Sequence, residues 1–225
     1  MARQLSRMML TYSQDRTLAR LEALPPSHRA AFAAACAQRI VGNYYVFHSY
    51  EGFGDPVVLV RALSRVWELL PSPEIGTRDR EMLADLARQC FDLAPDSWEF
   101  PESHLVGFAL DAAAAVTCSI ECLLEGNPQT AVCAADHVYS SIDGFVVEKY
   151  GPFSYLPGRF NEEWKIVKHP IVQAELRHQE DDLRYLERSV RVDEETVAHL
   201  RRRSESRGVE LRALLEEAAS TWSGH

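Results

Sequence analysis

Alternating apolar and polar runs, the pattern of β-strands, are missing from this chain of 225 residues, so there is no ground to expect a sheet. There is no glycine-rich nucleotide loop, no G-x-S-x-G elbow around a serine and no long repeat. Those absences remove the usual sequence grounds for a nucleotide-binding, serine-hydrolase or solenoid assignment. Long hydrophobic runs are also lacking. The longest apolar region, Val106 to Leu124, is interrupted by Asp111 and Glu121 and rich in alanine, which fits a buried helix better than a membrane span. Near the start, Arg3 and Arg7 are not followed by the apolar core and cleavage site of an export signal, so the expected location is the cytoplasm. Positive charge is in deficit: 24 Lys and Arg stand against 33 Asp and Glu, a net −9. Such a balance disfavours broad contact with nucleic acid or an anionic membrane and permits a basic partner. Cysteine is scarce and odd in number. Cys36, Cys90, Cys118, Cys122 and Cys133 lie mostly within apolar helical pattern, which points to reduced, buried thiols rather than a disulfide framework.

What the sequence does contain is helical periodicity. Hydrophobic residues at 46% and charged residues at 25% suit one folded domain with a sizeable core. The organising stretch runs from Asn43 to Leu70. Phe32, Cys36, Ile40, Tyr44 and Phe47 recur at steps of three and four, which lines one helix face. Gly52 and Gly54 interrupt the pattern. Asp55 followed by Pro56 then restarts it, the carboxylate capping the first turn and proline occupying a position that needs no donor. Leu59, Ala62, Leu63, Val66, Trp67 and Leu70 supply the next apolar stripe, leaving Arg61, Arg65 and Glu68 to solvent or to pairing.

Elsewhere a loose lead over residues 1–15 precedes a short helix ended by Pro25 and Pro26, with Ser27 as the expected cap of the long helix after it. Thr77 to about Phe91 forms another helix. In the loop beyond, Trp98 and Phe100 are expected to fold back on the core. Ser103 opens a central alanine-rich helix ended by Gly126, and Asn127 with Pro128 repeats the cap-plus-proline device. Gly151 to Phe160 is irregular, and Asn161 is expected to cap a short turn. From His169 and Pro170 onward, Val172, Leu176, Gln179, Leu183, Leu186 and Val190 follow heptad steps with one polar intruder, Gln179. Asp193 caps a final helical region, expected to break near Ser204 to Gly208 and to loosen over 220–225. The fold class is therefore all-α, a single-domain bundle of about seven to nine helices.

Asn43, Tyr44, Phe47, Phe53, Gly54, Asp55, Arg61, Trp67 and Glu68 resemble the pattern of the YjaG-like bacterial proteins, domain of unknown function family 416. His169, Pro170, Val172, Glu175, Gln179, Leu183 and Leu186 resemble that family's late helix, and Asp111 with the alanines after it resembles its central one. The resemblance implies an all-helical, cytoplasmic, self-associating protein with no established activity.

Several constellations carry potential chemistry. Cys118, Cys122, Cys133 and His137 form C-x3-C-x10-C-x3-H, two pairs each one helical turn apart, a nonstandard spacing for zinc. Buried cysteines acting as small hydrophobes are the simpler expectation, so no metal and no cofactor is expected. Glu175 and His178 make half of a di-iron signature without the other half, and are expected to be an exposed pair. Asp136, His137, Ser140 and Ser141 hold triad residue types at unsuitable angles. Arg201, Arg202 and Arg203 sit among acids and suit a solvated face. No catalytic residue is assigned.

The candidate binding surface is Asn43, Tyr44, Asp55, Arg61, Trp67 and Glu68. The candidate oligomer seam is Val172, Leu176, Gln179, Leu183 and Leu186. The leading expectation is a non-catalytic interaction or self-assembly module, a homo-oligomer with a possible protein partner and no nucleic acid or membrane. The alternatives are an immunity-type inhibitor of a basic toxin, and a small-molecule binder or enzyme with a pocket near Tyr44, Asp55 and Trp67.

Overall fold

The computed structural model describes residues 9–72, 74–151 and 160–222, with side chains left out at 160–163. Among these residues there are nine helices and no strand: α1 (Gln14–Glu22), α2 (Pro26–Glu51), α3 (Pro56–Leu69), α4 (Thr77–Asp92), α5 (Val106–Glu125), α6 (Pro128–Tyr150), α7 (Phe160–Lys168), α8 (Pro170–Arg188) and α9 (Glu194–Trp222).

Two helices form the axis. α2 is apolar around most of its circumference, and Ala30, Ala31, Phe32, Ala33, Ala34, Ala35, Cys36 and Ala37 are all fully buried. It packs against α5 and α9 most extensively, and also against α3, α6 and α8. α5 matches it with Ala109, Ala112, Ala113 and Ala115, so two alanine surfaces meet and the helix axes can approach closely. The remaining helices cover this pair. α5 is also the one helix among the described residues with the length and composition to cross a membrane, and 61% of its apolar window is buried inside the fold.

The helix boundaries show how local chemistry sets the path. α2 ends at Gly52 (φ 68°), and Gly54 (φ 71°) completes the turn, where a Cβ would fall 2.1 Å from the Tyr44 hydroxyl. Asp55 Oδ1 then accepts from the Val57 amide at 2.9 Å with Pro56 in the first helical position. Asn127 does the same for Gln129 ahead of α6.

Several expectations are corrected. Ser27 lies inside α2, which starts at Pro26 without a side-chain cap; its hydroxyl pairs with the His28 ring instead. Phe100 folds back against Phe47 and Phe53, but Trp98 is 88% exposed. α5 begins at Val106, with Ser103 Oγ accepting from the Leu105 amide just ahead of it. Asn161 lies within α7 rather than before it. The expected break at 204–208 is absent: α9 runs through Gly208 to Trp222, and Trp222 stacks on Phe108 rather than fraying. Residues 1–8, 152–159 and 223–225, which hold most of the lead and of the irregular loop and half of the tail, lie outside the described residues.

The heptad positions of α8 face inward. Val172, Leu176, Gln179, Leu183 and Leu186 are all buried within the chain's own fold, while Val190, beyond the helix, is 97% exposed. The polar intruder has a local reason. Gln179 Nε2 donates to Glu175 Oε1 at 3.1 Å, and that carboxylate is fully buried beside Arg39.

Candidate functional site

The six residues singled out as a binding surface do not converge. Asn43 is buried and donates to Ser141 Oγ at 3.0 Å, which ties α2 to α6. Tyr44 is buried, and its hydroxyl donates to the Leu93 carbonyl at 2.8 Å, tying α2 to the end of α4. Burial, and then the Asp55 charge, push its pKa up to about 12. Asp55 caps α3. Trp67 is buried and donates from Nε1 to Gln38 Oε1 at 2.9 Å. Arg61 and Glu68 are exposed and border a groove of about 470 Å³ between α3 and α4, where Arg61 donates to Gln89 and Glu68 pairs with Arg65. The Tyr44 hydroxyl, Asp55 Oδ1 and Trp67 Nε1 of the would-be pocket are each committed to a structural bond.

What the junction does present is a pole of the molecule. The Tyr44 to Leu93 bond and the Phe47, Phe53 and Phe100 cluster knit the end of α2, the start of α3 and the end of α4 into one surface. Large apolar side chains stand out there: Trp98 (88% exposed), Phe91 (70%) and Val57 (58%). Glu51, Asp55, Asp92, Asp96, Glu99 and Glu102 are exposed on the same chain segments.

A buried charge cluster went unrecognised in the sequence. Arg39 sits near the middle of α2 with its side chain fully out of solvent, its Nε on Glu175 Oε1 at 2.9 Å and its Nη1 on Asp182 Oδ2 at 2.7 Å. Glu175 is thus the buried half of an ion pair, not one of an exposed pair with His178. Arg203 reaches Asp182 from α9 at 3.4 Å. The network pins α8 and α9 to α2, and breaking such a pair by removing one partner costs about 3–5 kcal/mol.

Three of the four residues of the cysteine and histidine pattern meet. Cys118 on α5 and Cys133 with His137 on α6 bring one ligand atom each within 4.8 Å of one another. Cys122 does not join them: it is buried and turns its sulfur toward the Asn127 carbonyl at 3.6 Å. In its place the structure adds Asp111, whose Oδ1 meets His137 Nδ1 at 2.9 Å. Asp111, and then Cys133, raise the His137 pKa to about 10, while hydrogen bonding from Cys118 and then from His137 lowers that of Cys133. Among the described residues no hydrogen bond joins His137 to Ser140 or Ser141: the imidazole Nδ1 meets Asp111, and Ser141 Oγ accepts from Asn43. Cys133 lies inside α6, where its amide is held by the helix. Of the three arginines at 201–203, Arg201 pairs with Glu205 and Arg203 with Asp181 and Asp182.

With the geometry in place, comparison with known proteins identifies the lineage. The family model described as "Protein of unknown function (DUF416)" matches residues 16–210. The chain belongs to the DUF416 family. The crystal structure of a DUF416 family protein from Shewanella baltica OS155 superposes with a TM-score of 0.73 at 23% sequence identity, covering 84% of this chain and 93% of that one. That likeness supports the DUF416 fold. No curated protein matches.

Proposed function

We propose that this DUF416 protein is a non-catalytic interaction module whose acidic, aromatic pole docks a basic polypeptide segment. The observation that carries the reading is the exposure of Trp98 and Phe91 on a segment that also bears exposed Asp92, Asp96, Glu99 and Glu102. Large exposed apolar side chains rimmed by charge are typical of contact surfaces, and tryptophan is over-represented among residues that dominate binding energy. Exposed carboxylates beside these aromatics in the chain favour a cationic partner and speed its capture. A basic toxin held by an immunity-type inhibitor is one instance of that chemistry. Self-assembly through the heptad positions of α8 has less support, since those side chains are packed within the chain.

The test uses a labelled synthetic helix of alternating arginine and leucine clusters, titrated against the full chain. Binding should weaken as salt rises, and should weaken about tenfold further in Trp98→Ala, the loss of roughly 1.4 kcal/mol. Val209→Ala, which trims a 71% exposed side chain on α9, should leave it unchanged. Equal binding by Trp98→Ala and wild type, or none by either, sinks the reading. Light scattering that shows a concentration-dependent dimer abolished by Trp98→Ala would replace the basic partner with a second copy of the chain.

A further inference from the structure

We infer that Cys118, Cys133 and His137 form a binding site for a zinc-like divalent ion, held by two thiolates and one imidazole, with a fourth coordination position left for water or another small oxygen donor. No part of the interaction reading is needed for it.

The donor set comes first. Two sulfurs and one ring nitrogen are the ligands that zinc takes, and two thiolates exactly balance the charge of a divalent ion, which removes the cost of holding anionic sulfur in a largely buried place. The spacing comes second. Tetrahedral zinc holds such donors about 3.4 to 3.8 Å apart, and here all three lie within 4.8 Å, so side-chain rotation of about an ångström closes the shell. The orientation of the histidine is the third and most discriminating point. Ligating histidines commonly give their second nitrogen to a carboxylate, which fixes the ring and strengthens it as a donor. Asp111 Oδ1 holds His137 Nδ1 at 2.9 Å, which leaves Nε2 for the ion. Asp111 is 14% exposed at its side chain and belongs to α5, so the helix that supplies Cys118 also aims the histidine of α6.

The scaffold is suited to holding the ion. α5 and α6 are joined by Gly126 and Asn127 alone, so they lie antiparallel and side by side, and each presents its ligands from regular helix. Cys133 and His137 stand four residues apart on one face of α6. Cys118 is nearly buried while Cys133 and His137 are half-buried, giving an inner wall and an open side. Near that side the Tyr12 hydroxyl is buried, and its ring stacks on Tyr139 of α6 at 4.5 Å. Tyr12 lies within electrostatic reach of Cys133 and Asp136. Three protein ligands with one position open is the arrangement of exchangeable or reactive zinc, whereas purely structural sites close with four.

The full chain, stripped with a chelator and kept reduced, is titrated with Co²⁺ as a spectroscopic probe and then with Zn²⁺. The expected result is a sulfur-to-cobalt charge-transfer band and intense visible bands of four-coordinate cobalt, saturating at a single equivalent and bleached by Zn²⁺. Zn²⁺ should also raise the thermal midpoint. Cys133→Ser and His137→Gln should remove the bands, and Cys122→Ser, one turn from Cys118, should keep them. Asp111→Asn should keep the bands but weaken affinity by about 10- to 100-fold, the usual loss when an outer partner of a ligating histidine is removed. Far-ultraviolet circular dichroism of each stripped variant separates loss of ligand from loss of fold. Should Cys133→Ser fail to fold, alkylation of the wild-type thiols with and without Zn²⁺ decides the matter, since bound metal should protect Cys118 and Cys133 together. Absence of a charge-transfer band in the wild type, bands that survive His137→Gln, or unprotected thiols would overturn the site.

Discussion

Asp55 accepts from the Val57 amide at 2.9 Å and stands before Pro56, which is all that a helix cap requires. Asparagine caps about as well as aspartate, so Asp55→Asn should leave the thermal midpoint near wild type, whereas Asp55→Ala should cost about 0.5–2 kcal/mol in urea unfolding. A large loss in the asparagine variant would mean that the charge itself matters there. His178 behaves differently. Burial, then the charges of Arg39, Arg207, Arg203 and Arg177, push its pKa down from 6.5 to about 4. Between those values the unfolded chain binds the proton and the folded chain does not, so this residue's contribution to stability is lost as pH falls from about 6.5 toward 4. His178→Gln should therefore lose less stability than wild type across that window, and parallel thermal midpoints against pH would refute the assignment. At this scale the caps and glycine turns were legible because their chemistry is local. Arg39 was not. Its partners Glu175 and Asp182 lie 136 and 143 residues away, so no local spacing reveals that this arginine is neutralised inside the fold. The same limit hid Asp111 from the cysteine and histidine pattern. Spacing reveals which residues share a helix face, but not the register in which α5 meets α6.

Helix α9 illustrates how an element can mislead and still be regular. Ser204 to Gly208 looks like a break, because glycine inside a helix costs about 1 kcal/mol relative to alanine. The structure keeps the helix continuous and uses Gly208 for contact. A Cβ there would lie 2.8 Å from the Gln38 carbonyl oxygen and 3.3 Å from that of Arg39, both backbone atoms of α2. Gly208→Ala should thus destabilise the fold by about 1–3 kcal/mol despite its better helix propensity, as overpacking at a close crossing does. Urea unfolding checks this, and a neutral or stabilising outcome would mean that α9 can shift away from α2 freely. The heptad steps of α8 mislead in a related way. A coiled-coil seam and the inward stripe of a helix in a bundle have nearly the same spacing, and only the burial of Leu176, Gln179 and Leu183 against the chain's own helices tells them apart.

Across the whole molecule, polarity is arranged against expectation. Charge reaches the centre through Arg39, while tryptophan and phenylalanine stand outside at the acidic pole. The most apolar helix, α5, with a mean hydropathy of 1.6 over its apolar window, lies between α2, α3, α4 and α6. Three of those four neighbours precede it in the sequence. Translation delivers residues at about 5–20 per second, and single helices form in about a microsecond, so α2, α3 and α4 have ample time to gather before α5 leaves the ribosome. The most apolar segment thus emerges after three of its four packing neighbours have been made, and of those four only α6 follows to cover its remaining side.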